Sequence, residues 1–186
     1  MLLKLLKRKK GWSLFETVIT LVLFSLLGLL ASTVFIAGET MVEVNDSKLS
    51  LQQEARLGMT RVLKELRQAQ PSSISLSQNN TSITFAIPQS IDPNSGAITW
   101  SLPITYSVGG INSAQLIRSQ TGSTDTTILA NHMNTNLADP NRLQFQLDQS
   151  PNPTQVTITM GMQQTILKGQ TITADLTGEV NIRNLP

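Results

Sequence analysis

An uncharged apolar run at residues 17–38 constrains the fold more than any other feature of this sequence. Its 22 residues include no Asp, Glu, Lys, Arg or His. As an α-helix rising 1.5 Å per residue, the run would be about 33 Å long, enough to cross the hydrocarbon core of a bilayer. Its Ser and Thr hydroxyls can hydrogen-bond to carbonyls of the same helix, which makes them compatible with lipid. The run therefore predicts a membrane-spanning helix.

Charged residues are arranged in a specific way at the start of this run. A basic cluster lies directly before it, and the positive-inside rule then places the N-terminus in the cytoplasm. The cluster consists of Lys4, Lys7, Arg8, Lys9 and Lys10. Glu16 follows one turn inside the apolar segment, where an unpaired ionisable group costs a few kcal/mol. Glu16 is therefore a candidate functional residue.

Residues 9–16 and the run after them closely resemble the class III signal of type IV pilins and type II secretion pseudopilins. In that family a short basic leader ends in Gly, and Glu is the fifth residue of the mature protein. Here Gly11 would end the leader, Trp12 would be the first mature residue, where Phe or Met is usual, and Glu16 would be the fifth. The resemblance implies cleavage by a prepilin peptidase between Gly11 and Trp12, and methylation. It also implies that Glu16, through the Trp12 ammonium, guides the subunit into register in a filament.

The helical pattern continues beyond the apolar run. Ala55, Met59, Val62, Leu66 and Ala69 are spaced by four, three, four and three residues, which aligns them on one face of a helix. This stripe predicts packing of the helix on a C-terminal domain. Pro71 then stops the helix. Gly28, Gly38 and Gly58 are expected to be weak points at which the helix can bend.

After Pro71 the apolar period changes from 3.6 to 2, which predicts β-strands. Residues 74–76 and 83–87 alternate around a polar turn and predict a hairpin. Residues 97–102 and 104–108 read as a strand interrupted at Pro103, and so as an edge strand or a bulge. Further strands are predicted at residues 114–119, 127–129, 143–147, 156–160, 164–167 and 171–182.

These patterns together predict an α+β, pilin-like fold, with a long N-terminal helix packed on a C-terminal antiparallel β-sheet domain. The predicted divisions are a leader at 1–11, a membrane-spanning and filament-core half of the helix at 12–38, an amphipathic half at 39–70, and a β-rich globular domain at 71–186. Short motifs in the β-rich region also resemble the larger minor pseudopilins and minor pilins of the J and W type. These are Tyr106 and residues 115–118, 128–131, 143–145 and 156–159.

Net charge argues against a nucleic-acid partner. The chain carries 14 basic and 12 acidic residues, a formal charge of +2. Five of the basic residues lie in residues 1–11, so removing the leader leaves nine basic against 12 acidic residues, a charge of −3. A DNA-uptake pilin would favour a basic strip studded with aromatic residues. The chain has no Cys, so it has neither disulfides nor thiolate metal ligands.

The sequence contains no clear motif for catalysis, metal binding or phosphate binding. His132, the only histidine, reads as a loop side chain. Asp92, Asp125 and Asp139 lie near turn residues and favour local turns over a calcium site. No Ser/His/Asp order and no glycine-rich phosphate loop stands out. We therefore predict no catalytic residue, no metal and no cofactor.

The resemblance implies a non-catalytic minor pseudopilin or minor pilin of a type II secretion or type IV pilus filament. Its expected partners are a prepilin peptidase, other pilins or pseudopilins, an inner-membrane assembly platform and membrane lipid. It would cross the inner membrane once, with an exported C-terminal domain. The alternatives are a major pilin, or an exported enzyme or binding domain on an ordinary anchor. A conventional signal peptide cut near Ala31 is a further alternative for the N-terminus.

Overall fold

The computed structural model describes residues 13–136, 139, 142–166 and 169–182. The chain divides into two compact units, Met1–Glu43 and Val44–Pro186. The predicted leader cluster of Lys7, Arg8, Lys9 and Lys10 lies outside the described residues, and so do Gly11 and Trp12 at the predicted cleavage site.

An α-helix, α1, spans Leu14–Leu66. Ser13 caps its N-terminus. The Ser13 hydroxyl accepts a hydrogen bond from the Glu16 N–H at 3.3 Å, and the Ser13 carbonyl accepts one from the Thr17 N–H at 3.1 Å. Ser is favoured at this position because its oxygen satisfies N–H groups that have no partner within the helix. The start of α1 is thus specified by its own sequence.

The end of α1 at Leu66 comes four residues before the predicted end at residue 70. The Ala69 N–H donates to the Leu66 carbonyl, which tightens the last turn, and the Gln70 N–H donates to the Ala86 carbonyl at 2.9 Å. Pro71 explains the early end, because a proline disfavours helical backbone in the residue before it. Gln70 is accordingly extended, with φ −72° and ψ 118°.

Ten β-strands follow α1 in the described part of the second unit, together with two short 3-10 helices at Pro71–Ser73 and Ile111–Ser113. The strands are β1 Ser75–Leu76, β2 Ser82–Phe85, β3 Pro88–Ile91, β4 Ile98–Trp100, β5 Ile104–Gly109, β6 Gln115–Gln120, β7 Thr126–Ala130, β8 Gln144–Leu147, β9 Gln155–Thr165 and β10 Thr171–Asn181.

The strands form three antiparallel sheets. The first has five strands in the order β1-β2-β5-β6-β7, the second has three in the order β10-β9-β8, and β3 pairs with β4. Sequential neighbours are joined by tight turns, as at Asn80, which has a φ of 55° between β1 and β2. A long apolar helix followed by antiparallel sheets confirms the predicted α+β layout.

Alternation along the strands builds the core of the second unit. Ile83 and Phe85 of β2 and Ile104 and Tyr106 of β5 are all buried. Phe85 and Tyr106 stack with their ring centroids 5.8 Å apart. These side chains join one cluster with buried residues of α1 and of the three-stranded sheet. Period-2 burial of this kind is expected when one face of a sheet packs on a helix.

Pro103 does not interrupt one strand, contrary to the prediction for residues 97–108. It separates β4 from β5, and these two strands belong to different sheets. β5 is a central strand that pairs with β2 on one side and β6 on the other. Pro103 is tolerated because it precedes the strand, where no ladder N–H is needed, while its carbonyl accepts the Thr121 N–H at 2.9 Å.

Two further strand predictions differ from the structure. The strands predicted at 156–160 and 164–167 are one strand, β9, although residue 167 lies outside the described residues. Gly161 continues the ladder by pairing with Asp175 of β10, so the glycine does not break the strand. β3 was not predicted, because it begins with Pro88 and has little apolar alternation.

Candidate functional site: the first part of α1 and the packing of the second

The first unit presents α1 as an apolar surface. Residues 14–39 are all exposed, and the large side chains among them are mostly Leu, Val, Ile and Phe. Leu14 is 86% exposed, Phe15 74% and Phe24 77%. Soluble monomers rarely expose apolar patches larger than a few hundred Å². This segment is long and apolar enough to cross a membrane.

Hydroxyl groups within this apolar segment are satisfied inside the helix, as the sequence predicted. Thr20 donates to the Glu16 carbonyl at 2.6 Å, Ser25 to the Leu21 carbonyl at 2.8 Å and Ser32 to the Gly28 carbonyl at 2.9 Å. Such bonds leave no hydroxyl in need of an outside partner. The surface can therefore meet lipid or other helices without a desolvation penalty from these groups.

Glu16 is the acidic residue of the first turn of α1. Its N–H is bonded to Ser13, but its carboxylate makes no hydrogen bond or ion pair with any residue that the structure describes. Ser13 and Glu16 have the spacing of a capping box, in which the carboxylate would return to the Ser13 N–H. That return bond is not formed within the described residues.

The predicted packing stripe lies in the second unit. Ala55, Met59, Val62, Leu66 and Ala69 are between 0% and 3% exposed, and all five belong to the core cluster. Gly58 lies within this stripe. A Cβ added there would be 3.3 Å from Leu116 Cδ2 and 3.4 Å from Ala130 Cβ. Gly58 was predicted to be a point where the helix can bend, and in the structure it permits close approach of α1 to β6 and β7.

Glu65 forms a buried ion-pair cluster that was not predicted. Its carboxylate accepts from Arg118 Nε of β6 at 3.0 Å and from Arg61 Nε, one turn earlier on α1, also at 3.0 Å. Glu65 is 8% exposed, so its charge requires these partners. The Arg61 spacing is visible in the sequence, but Arg118 is 53 residues away and no local pattern links it to Glu65.

Tyr106 lies beside this cluster. Its hydroxyl is buried, and no described residue offers it a hydrogen bond of good geometry. Burial raises the pKa of the Tyr106 hydroxyl well above its ordinary value of 10.0, and the nearby negative charge of Glu65 raises it further. Arg118 opposes that rise. Tyr106 is therefore held in its neutral form.

His132 follows β7 and has a φ of 58°, and the prediction that it is a loop side chain agrees with this position. Its Nδ1 lies 3.4 Å from Glu54 Oε2 of α1. Glu54 Oε1 also accepts the Asn131 N–H at 2.7 Å and the Asn131 side-chain amide at 2.8 Å. Glu54 thus links the end of β7 to α1 through hydrogen bonds, and this role was not predicted from the sequence.

Metal ligands do not converge in the described part of the chain, where no group of three or more His, Asp or Glu is suited to hold an ion. All three turn aspartates make local hydrogen bonds, Asp92 and Asp139 through their carboxylates and Asp125 through its backbone N–H. Asp92 accepts the Asn94 N–H at 2.9 Å, the Asp125 N–H donates to Ser123 Oγ at 3.1 Å, and Asp139 Oδ2 accepts from Asn134 at 2.6 Å.

No protein-family model, curated protein or solved structure matches the chain.

Proposed function

We propose that this chain is a minor pseudopilin or minor pilin, a non-catalytic subunit of a type II secretion or type IV pilus filament. One observation carries the proposal. An exposed apolar helix, with its own hydroxyls satisfied, begins with a lone carboxylate that has no partner among the described residues. An ordinary membrane anchor has no use for such a charge, which costs a few kcal/mol in lipid.

Processing would create the missing partner. A prepilin peptidase would cut between Gly11 and Trp12 and free the Trp12 ammonium. In a low-dielectric bundle of helices, this ammonium and a Glu16 carboxylate attract strongly, and pairing offsets the cost of removing both from water. Because neighbouring subunits are staggered along a filament, the ammonium of one subunit would meet the carboxylate of another. The pair would then set the register of the entering subunit.

Membrane topology follows from the basic leader. The positive-inside rule retains the leader in the cytoplasm and exports the second unit across the inner membrane. The expected partners are the peptidase, other pilins or pseudopilins, an inner-membrane assembly platform and lipid. The mature charge of −3 gives no reason to add nucleic acid. A pilin-like arrangement of the second unit is part of this proposal, and the α+β layout supports it.

Intact-mass measurement on protein extracted from membranes of the native cells tests the processing step. We expect a mature species that begins at Trp12, with or without a methyl group. Replacing Gly11 with a bulky residue should leave the precursor uncut, since a side chain would obstruct close backbone approach. A wild-type species that begins at Met1 or Ser32 would contradict the proposal and favour an ordinary anchor or a conventional signal peptide.

Glu16→Gln tests the assembly step. This change keeps the size of the side chain and removes the charge, so cleavage and membrane retention should survive while cross-linking to neighbouring pilin-like subunits falls. Ser13→Ala is the matched control, because it removes the helix cap and keeps the carboxylate. Equal cross-linking of wild type and Glu16→Gln would reduce Glu16 to an incidental charge. A loss of cross-linking in Ser13→Ala alone would assign the effect to the helix start.

A further inference from the structure

Two strand edges with no paired neighbour among the described strands line one groove in the second unit. β1 is a terminal strand of the five-stranded sheet, and β8 is a terminal strand of the three-stranded sheet. A groove of about 880 Å³ is lined on one side by β1 and its flanking residues and on the other by Gln146, Leu147, Gln149 and Ser150. This volume lies within the range of ligand-binding clefts. The fold thus leaves an opening between two sheets that already share one core.

In an antiparallel pair, the backbone groups of successive residues point alternately toward and away from the partner strand, and this alternation shows which groups face the groove. The Ser77 N–H donates to the Ser82 carbonyl of β2, so Leu76, one residue earlier, points its N–H and carbonyl away from β2. The Asp148 N–H donates to the Gln155 carbonyl of β9, so Leu147 likewise points its backbone groups away from β9. Neither Leu76 nor Leu147 has a backbone hydrogen bond on that side to a described residue.

One backbone hydrogen bond joins the two edges at one end of the groove. The Phe145 N–H donates to the Asn80 carbonyl at 2.8 Å and joins β8 to the turn between β1 and β2. No second bond of this kind joins the edges within the described residues. Beyond that first bond, the groove separates the edges, and no described residue bonds to the outward backbone groups of Leu76 and Leu147.

The chemistry of the lining is neutral and partly apolar. Ile74, Leu76 and Leu147 are half-buried and pack on the core, and the other described lining residues are Ser, Gln and Asn. The opposite edge of the three-stranded sheet differs, because β10 carries Asp175 and Glu179. Charges on an edge strand discourage pairing with other chains. The strand residues of β1 and β8 carry no charge, and the nearest one, Asp148, lies just after β8 and bonds to Thr154.

From these observations we infer that the groove accepts an extended, uncharged segment of a second polypeptide, which adds as a strand between β1 and β8. A strand that bonds to both Leu76 and Leu147 uses both of its own edges. The strands of a folded second copy already pair with neighbours and offer at most one free edge, so the occupant is a segment outside any sheet. Backbone bonds would supply affinity and alternate side chains would supply specificity, as in other cases of strand addition.

A defined peptide tests this inference with the full chain in detergent micelles. The probe is an end-blocked hexapeptide of alternating Thr and Val. Its control has the same sequence with alternate amides N-methylated, which removes the donors that strand pairing requires. Because the chain has no Cys, Gln149→Cys places one environment-sensitive dye at the rim of the groove, and Gln163→Cys on β9 places it elsewhere. Binding is read as the change in dye emission.

We expect a saturable response at position 149 and none at position 163. The N-methylated peptide should bind at least about tenfold more weakly. Gln146→Lys should weaken binding similarly by protecting the edge, whereas Thr173→Lys on β10 should leave it unchanged. Equal binding of the N-methylated peptide, or no response to either peptide, would overturn the inference. A position-149 response that rises with protein concentration alone would overturn it in favour of a second copy. These outcomes do not depend on filament assembly.

Discussion

Glu16 and Glu65 are carboxylates of the same helix in opposite surroundings. Glu65 is buried and lies 3.0 Å from two guanidinium groups, Arg61 and Arg118. Glu16 is exposed, and its carboxylate has no partner among the described residues. A charge that leaves water must be paired or its free-energy cost is high. The fold of the second unit therefore pairs Glu65, whereas no described residue pairs the Glu16 carboxylate.

The leucines of α1 repeat this contrast. Leu66 is 0% exposed and belongs to the core cluster of the second unit, whereas Leu27 in the first unit is 63% exposed. Leu57 is 71% exposed although it lies in the second unit, because it points away from the packing stripe. The same residue type thus serves the core of a domain and an exposed surface that is apolar enough to cross a membrane. The difference can be tested by substitution.

Leu66→Asp should give the largest effect. It would bury an unpaired charge and lower the free energy of unfolding of the second unit by several kcal/mol. Leu57→Asp, an equal change at an exposed position of the same helix, should alter it by less than about 0.5 kcal/mol. Thermal melting of the full chain in micelles, followed by the loss of β-sheet circular dichroism, measures both. An unchanged melting temperature for Leu66→Asp would contradict the packing of α1 on the sheets.

Arg118→Met comes next, because it leaves Glu65 buried with Arg61 alone. We expect a loss of about 3 kcal/mol in the free energy of unfolding, measured by urea denaturation. Arg61→Met is the matched control. Its side chain is 55% exposed, and such pairs contribute less than about 1 kcal/mol.

The double variant Arg118→Met with Glu65→Gln separates charge from packing. It should recover part of the loss, since it removes the charge that Arg118→Met leaves unpaired. Failure of this rescue would show that Arg118 acts mainly through the packing of its aliphatic stem.

The parts of the fold that were predictable are those set by local periodicity. The spacing of Ala55, Met59, Val62, Leu66 and Ala69 predicts one helix face, and all five residues are buried, although Ala69 lies just beyond the end of α1. The polar turn between residues 76 and 83 defines the first hairpin, which forms as β1 and β2. The satisfaction of Thr20, Ser25 and Ser32 within α1 follows from the reach of their short hydroxyl side chains.

Features that join distant segments were not predictable. The partner of Glu65 on β6 depends on which strand the helix crosses, and no spacing in the sequence encodes that choice. Pro103 marks a position that needs no backbone N–H. Such a position can lie at the start of a strand or on an edge strand, and the sequence does not distinguish the two. The groove between β1 and β8 likewise arises only when two sheets are placed side by side. The first-turn role of Glu16 remains a prediction, since Trp12 lies outside the described residues.

Tyr106→Phe should have the smallest effect on the free energy of unfolding. It tests the buried surroundings of Glu65, which lies beside Tyr106. At neutral pH, removing a buried hydroxyl that has no well-formed hydrogen bond to a described residue should change the free energy of unfolding by less than about 1 kcal/mol, toward greater stability. At alkaline pH the free energies of unfolding of the wild type and of Tyr106→Phe should diverge. The pKa of Tyr106 is raised in the folded protein, so its contribution is fully present below the unfolded value of 10.0 and is lost as pH rises toward the folded value.

The wild type should therefore lose stability relative to Tyr106→Phe above about pH 10, because the unfolded chain releases the phenolic proton first. Urea midpoints of both proteins from about pH 8 to about pH 11 give the difference, in which the titration of lysines and arginines cancels. Tyr106 is the only tyrosine, so the ultraviolet absorbance of tyrosinate reports this group alone. Parallel pH profiles for the two proteins would show that the Tyr106 hydroxyl reaches water in the folded state. Since Glu65 lies beside it, that result would also weaken the assignment of Glu65 as a desolvated charge that requires Arg118.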